Sequence, residues 1–222
     1  MAGVNNDSSN NSNRYRCNRV ISNPLQQRLV IVSYNLHGFN QGSHGIKEMI
    51  STLNPDAIMV QEHWLYPSNI SKLNDISDDY FYFGSSAMDA CLSAGPFYGR
   101  PFGWTAVIIN KRLASVAMHV VSTERFTVVK IAEWLLISVY MPCCGTSDRL
   151  LLYGEILQEL QALLHRYQDC NYLIGGDYNV NLDQLNCFSG IANQFIKDNS
   201  LLRCDIQFPV SDKCTYVSAQ VL

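Results

Sequence analysis

Five polar residues stand where apolar runs of this chain give out: Asn35, Glu62, Tyr140, Asp177 and Asn179. Asn35 comes just after Leu29-Val-Ile-Val-Ser33, and Glu62 just after Ala57-Ile-Met-Val60. Tyr140 closes the run that begins at Leu135, and Asp177 and Asn179 follow Tyr172-Leu-Ile-Gly175. As a set they suit hydrolysis of a phosphate ester. A hard cation such as Mg²⁺, or Mn²⁺ in its place, takes oxygen ligands, few of them from protein, and keeps several waters. Glu62 offers a full charge and Asn35 a neutral amide oxygen. A cation held there would polarise a phosphoryl oxygen and neutralise charge on the leaving oxygen. Asp177 is placed to orient or deprotonate an attacking water. Asn179 and the Tyr140 hydroxyl can each hydrogen-bond a phosphate oxygen in the transition state. Gly175-Gly176 would let the backbone approach a phosphate without a Cβ in the way.

Singly, each residue has a plainer reading. Asn35 suits a turn, Glu62 a solvated strand end, and Tyr140 a strand core. What argues for a site is their shared placement at strand ends, because ligands in open α/β sheets sit outside the carboxyl ends of the strands. Strands of one sheet would bring the tips together. Leu29–Ser33 and Ala57–Val60 are short, apolar and β-branched, and a helical pattern (Ile46, Met49, Ile50, Leu53) separates them from Gly45 to Asn54-Pro55. That order predicts a βαβ unit with parallel strands. Residues 65–80 read as a short helix and loop, and 84–103, rich in Gly, Ser, Ala and Pro, as a long loop. Strands are expected at 104–109, 116–121, 126–131 and 135–140, with Asn110-Lys111 as a turn. A helix is expected over 148–168, with Asp148 as N-cap and Leu152, Ile156, Leu160, Leu163 and Leu164 on its core face. A last helix covers about 188–199, and Cys214-Thr-Tyr-Val217 starts one more strand.

The 222 residues fit one large α/β domain, and 47% hydrophobic content is enough for a sizeable core. Residues 1–28, rich in Asn and Ser at their start, read as a flexible leader, and ordered structure is expected from Leu29. The leader carries four arginines (14, 16, 19 and 28) against one acid, whereas the remainder carries 12 Lys/Arg against 18 Asp/Glu. That acidic body excludes a passive nucleic-acid coat and is compatible with carboxylates that hold a cation. No apolar run reaches the length of a membrane span. Eight cysteines without a Cys-x-x-Cys pair argue against zinc and for a reduced, intracellular compartment. His37, His44 and His63 lie near the expected mouth in surface or supporting roles. His119 reads as a satisfied strand histidine, His165 as solvated and Trp104 as core.

Ser33-Tyr-Asn35-Leu-His-Gly38, Gln61-Glu62-His-Trp64, Val139-Tyr140-Met-Pro142 and Gly175-Gly-Asp177-Tyr-Asn179 resemble the successive motifs of the endonuclease/exonuclease/phosphatase superfamily. Each motif alone is weak, but four in the family's order are specific. The resemblance runs from Leu29 to the C-terminus. It implies an α/β four-layer sandwich, two mixed β-sheets packed face to face with helices outside. It also implies that Glu62, with Asn35, serves the metal, that Tyr140 and Asn179 contact the scissile phosphate, and that Asp177 serves the nucleophile. The Gln-Glu-His-Trp form is similar to endonuclease domains of non-LTR retrotransposons, of the apurinic type. That similarity implies Mg²⁺-dependent nicking of DNA, a nuclear setting, and a reverse transcriptase domain in a longer parent chain. The family's last motif is a Ser/Asp-Asp-His-like element on a late strand. This sequence has no histidine after His165, and Ser211-Asp212-Lys213 carries lysine in its place. The domain is therefore expected to be incomplete at its C-terminus, with its last strands missing, an unpaired sheet edge and reduced activity. The rival readings are hydrolysis of a small or lipid phosphoester, which the acidic body favours, and an inactive remnant that only binds.

Overall fold

The structure, a computed structural model, describes residues 29–86 and 104–207. The leader and its arginines, most of the 84–103 loop, Ser211-Asp212-Lys213 and the strand expected from Cys214 lie outside those residues. Two four-stranded mixed sheets make up the described body. The first has the order β1 (Ile31–Asn35), β2 (Ala57–Gln61), β4 (Thr105–Asn110), β3 (Tyr80–Gly84). Its β1 and β2 are parallel, and β4 is antiparallel to both β2 and β3. The second sheet has the order β5 (Ala117–Ser122), β6 (Phe126–Ile131), β7 (Trp134–Tyr140), β8 (Asn171–Asp177), with only β7 and β8 parallel. The parallel β1–β2 pair bears out the expected βαβ unit.

The sheets pack face to face, as the family resemblance implied. Met59, Val107, Ile109, Val129, Ile131 and Leu136 fill the space between them. Central strands are covered on both faces, which is why β2 and β4 are buried at every residue and read as unbroken apolar runs. Helix α1 (Phe39–Leu53) and a 3-10 helix, Ile70–Ile76, cover the outer face of the first sheet through Ile46, Leu73 and Ile76. Helices α2 (Arg149–Arg166) and α3 (Cys187–Asp198) cover the second through Ile156, Leu160, Leu164, Ala192 and Phe195. A four-residue helix α4 (Cys204–Gln207) follows. No helix among the described residues is long and apolar enough to cross a membrane.

Several local expectations are corrected. Helix α1 starts at Phe39 rather than Gly45. Its early glycine lowers helix propensity, but a Cβ on Gly42 would lie 2.3 Å from the Leu36 side chain, so close packing requires it. Strand β3 fills residues 81–83, for which no element was expected, and Asn110-Lys111, expected as a turn, opens a short 3-10 helix in which the Asn110 side chain accepts from the Arg112 N–H. Asp148 precedes α2 as expected but is left-handed and makes no capping bond with its side chain. The reciprocal cap belongs to α3, where Asn186 and Ser189 each accept the other's backbone N–H. His119 is a satisfied strand histidine, as expected: it lies in β5, its Nε2 is 2.8 Å from Ser122 Oγ and its exposed ring stacks on Phe83 at 5.4 Å. His165 is exposed and Trp104 fully buried, both as expected.

Candidate active site

Parallel pairing places strand ends side by side. Asn35 is in register with Gln61 at the end of β1 and β2, and Tyr140 with Asp177 at the end of β7 and β8. The tips thus come from two sheets rather than one, and face-to-face packing joins them. Four buried polar residues stand in the interface beside the tips. Gln61 Nε2 donates to Ser138 Oγ at 2.9 Å, and Thr105 and Thr127 hydroxyls lie 2.9 Å apart. Gln61 neighbours Thr105 across β2–β4, and Thr127 neighbours Ser138 across β6–β7, so the four close a square between the sheets. Gly175 belongs to this interface: a Cβ there would lie 2.3 Å from Met59 Cε. The second glycine has φ +148°, and its Cβ would meet the Val139 carbonyl oxygen at 2.0 Å. Packing at the sheet contact and at the strand end therefore already requires both glycines.

Asn35 joins the two sheets at the site. Its Nδ2 donates to Glu62 Oε1 at 2.8 Å and to Asp177 Oδ2 at 3.0 Å. Its Oδ1 accepts the His37 backbone N–H at 2.9 Å. The amide was expected to offer its oxygen outward; here its nitrogen also holds two carboxylates together. Exposed His37 places Nδ1 3.7 Å from Glu62 Oε2. Charge-assisted bonds to one amide cannot neutralise two clustered carboxylates, so the pair is suited to a cation. Glu62, Asp177 and the second lone pair of Asn35 Oδ1 are hard oxygen donors. Among the described residues no cluster of three His, Cys, Asp or Glu forms a full cage. Few protein ligands, with water supplying the rest, is the coordination Mg²⁺ prefers. The residues present fit such an ion.

Tyr140, 5% exposed, has its hydroxyl pushed well above the ordinary phenol range by burial, and the Glu62 carboxylate and Cys143 thiol add to the shift. It therefore stays a neutral O–H donor. Asn179 is fixed from both sides. Its N–H donates to Asp177 Oδ1 at 2.9 Å and its Nδ2 to Met141 O at 2.8 Å, leaving the second amide hydrogen for a ligand. His37, Glu62 and Asn179 all have left-handed backbones, with φ of 48°, 54° and 49°. Such strain in non-glycine residues gathers at functional sites.

All five residues singled out in the sequence thus line one edge of the sandwich. Sequence reasoning missed two arginines. Arg125, 7% exposed, has its guanidinium carbon 5.8 Å from the Tyr140 ring centre, and burial lowers its pKa. Arg149 binds backbone carbonyls on both sides of the site. A charged residue directly before a strand or at a helix start was the only available signal. His63 is no surface residue: it is fully buried, stacks on Trp104 at 5.9 Å, and accepts the Leu65 N–H through Nδ1. Burial lowers its pKa to about 4, with the Ser85 backbone opposing in part.

The Endonuclease/Exonuclease/phosphatase family model matches residues 32–196. No curated protein matches the sequence. Among solved structures, the AP endonuclease LMAP from Leishmania major aligns with a TM-score of 0.57 and 12% identity over 76% of this chain and 66% of its own. The endonuclease domain of TRAS1, a telomere-specific non-LTR retrotransposon, aligns at 0.54 and 12% over 78% and 71%. An AP endonuclease from Archaeoglobus fulgidus aligns at 0.51 and 15% over 77% and 70%. This chain therefore spans just under two thirds of the Leishmania major protein and about 70% of the other two. At these identities the likeness is one of fold, the two-sheet α/β sandwich described above.

Proposed function

The chain belongs to the endonuclease/exonuclease/phosphatase family, and from that premise we propose that it hydrolyses DNA phosphodiesters with Mg²⁺ (or Mn²⁺), nicking one strand. The observation that supports this most is the Asn35 amide bridging Glu62 and Asp177 from two different sheets. Glu62 and Asn35 would hold the cation, which when bound supplies a Lewis acid for the phosphoryl oxygen. Asp177 orients the attacking water and takes its proton. Tyr140 and Asn179 each donate a hydrogen bond to the phosphate as charge develops on it. The TRAS1 likeness supports a retrotransposon-type role, in which the domain would act in the nucleus beside a reverse transcriptase domain.

Supercoiled plasmid tests the reading. Nicked circles should form with Mg²⁺, vanish with chelator, and vanish in Glu62→Gln. Hydrolysis of a lipid phosphate ester with plasmid left intact would instead support the small-phosphoester reading that the net charge of -3 favours.

A further inference from the structure

Arg149 opens helix α2, and its guanidinium reaches three segments at once. Nε donates to Pro142 O at 2.8 Å and Nη2 to Asn179 O at 2.6 Å. Nη1 faces Cys144 Sγ at 3.5 Å, and the guanidinium carbon lies 4.1 Å from the Phe188 ring centre. Four residues on, on the same helix face, the Tyr153 hydroxyl donates to Tyr178 O at 3.2 Å, and its ring meets Phe188 edge-on at 5.5 Å. Successive carbonyls of the Asp177-Tyr-Asn179 turn are thus held by successive turns of one helix. The bond from Asn179 Nδ2 to Met141 O ties that turn to the residues after Tyr140, and Arg149 ties the neighbouring carbonyl, Pro142 O, to the same turn.

We propose that Arg149 is a positioning residue. It locks the segment after Tyr140 to the Asp177–Asn179 turn, so that the two phosphate donors keep a fixed separation. Asn179 needs such a hold, because its backbone is left-handed at φ 49°. A planar fork of donors can span two carbonyls at fixed geometry, which a lysine ammonium cannot. Misplacing a reacting group by about 1 Å lowers rate by roughly 10²-fold, so a small relaxation of this clamp reaches the chemistry.

The inference rests on the proposed hydrolysis for its rate effect but not for its structural effect, and the experiment separates them. Arg149→Met and Arg149→Lys are compared with the unmodified chain, with Cys144→Ser as a control. In plasmid nicking, kcat should fall roughly 10- to 100-fold in both Arg149 variants, with KM little changed. Added guanidinium should restore part of the rate to Arg149→Ala, and methylammonium should not. Amide hydrogen exchange, which needs no turnover, should quicken in residues 141–146 and 177–181 of Arg149→Met and stay unchanged in Cys144→Ser. Unchanged exchange overturns the clamp. So does a raised KM at constant kcat, which would make Arg149 a substrate contact. An unmodified chain that never nicks plasmid overturns the hydrolysis reading, while the exchange result still decides the clamp.

Discussion

The two sheets bring different kinds of order to the site. At the tip of the first, functional side chains bond to one another: Asn35 to Glu62, with His37 close by. At the tip of the second, Asp177 accepts from Asn35, but Asn179 and Arg149 bond to main chain: Asn179 to Met141 O, and Arg149 to Pro142 O and Asn179 O. The first tip is an arrangement of charge that a cation can complete. The second is an arrangement of shape, fixed by carbonyls and a helix before any ligand arrives. Substitutions at the first should therefore strike activity, and substitutions at the second should strike the fold as well.

The largest effect should come from Glu62→Gln, which keeps an acceptor for Asn35 and removes the charge. Nicking should fall by at least ~10³-fold while the thermal midpoint moves by no more than about 2 °C. A large drop in midpoint would break the comparison. Gly176→Ala tests the other tip. With φ at +148° and the Val139 carbonyl in the way, it should lose about 3 kcal/mol of stability, seen as a midpoint lowered by roughly 6–12 °C. Acid should weaken the ground beneath the first tip. His63 is buried and neutral with a folded pKa of about 4, so the unfolded chain binds the extra proton below pH 6.5. Stability is full above pH 6.5 and declines as pH falls toward 4, by about 2 kcal/mol at pH 5. Urea midpoints at pH 7 and pH 5 check this, and His63→Gln should flatten the difference. The smallest effect sharpens the bridge between sheets. A double-mutant cycle on Asn35→Ala and Asp177→Asn should give a coupling of about 1 kcal/mol, and additive losses would mean that the 3.0 Å contact carries no energy.

Glu62 and Tyr140 were legible in the sequence because they follow or close strands buried on both faces, and such strands announce themselves as unbroken apolar runs. β2 and β7 are of that kind, whereas β1 and β8, which end in Asn35 and Asp177, are only partly buried. β3 was not legible, since Tyr80-Phe-Tyr-Phe-Gly84 is a half-covered edge whose partner, β4, begins more than twenty residues later in the chain. The start of α1 was hidden because Gly42 is chosen by contact with Leu36 rather than by helix propensity. Arg149 was hidden for a related reason. Its partners are backbone carbonyls, which leave no trace in residue types. His63 beside Trp64 could not be placed inside or outside, because the backbone turns left-handed at Glu62 and Trp64 and breaks the alternation of the strand. The four-layer sandwich needed the ordered motifs, since one sheet and two sheets share the same strand pattern.

The polar square of Gln61, Thr105, Thr127 and Ser138 has a consequence for how such a domain can change over generations. A sandwich held only by hydrocarbon tolerates drift, because one aliphatic neighbour is much like another. Here each buried hydroxyl or amide has a partner across the gap, and an orphaned one would cost about 1–3 kcal/mol. Thr127 and Ser138 also donate to the Thr105 and Val60 carbonyl oxygens, so it is replacement of Thr127 or Ser138 that should persist only when the facing Thr105 or Gln61 changes with it. Thr127 should therefore be inherited wherever Thr105 is kept, and Ser138 wherever Gln61 is kept.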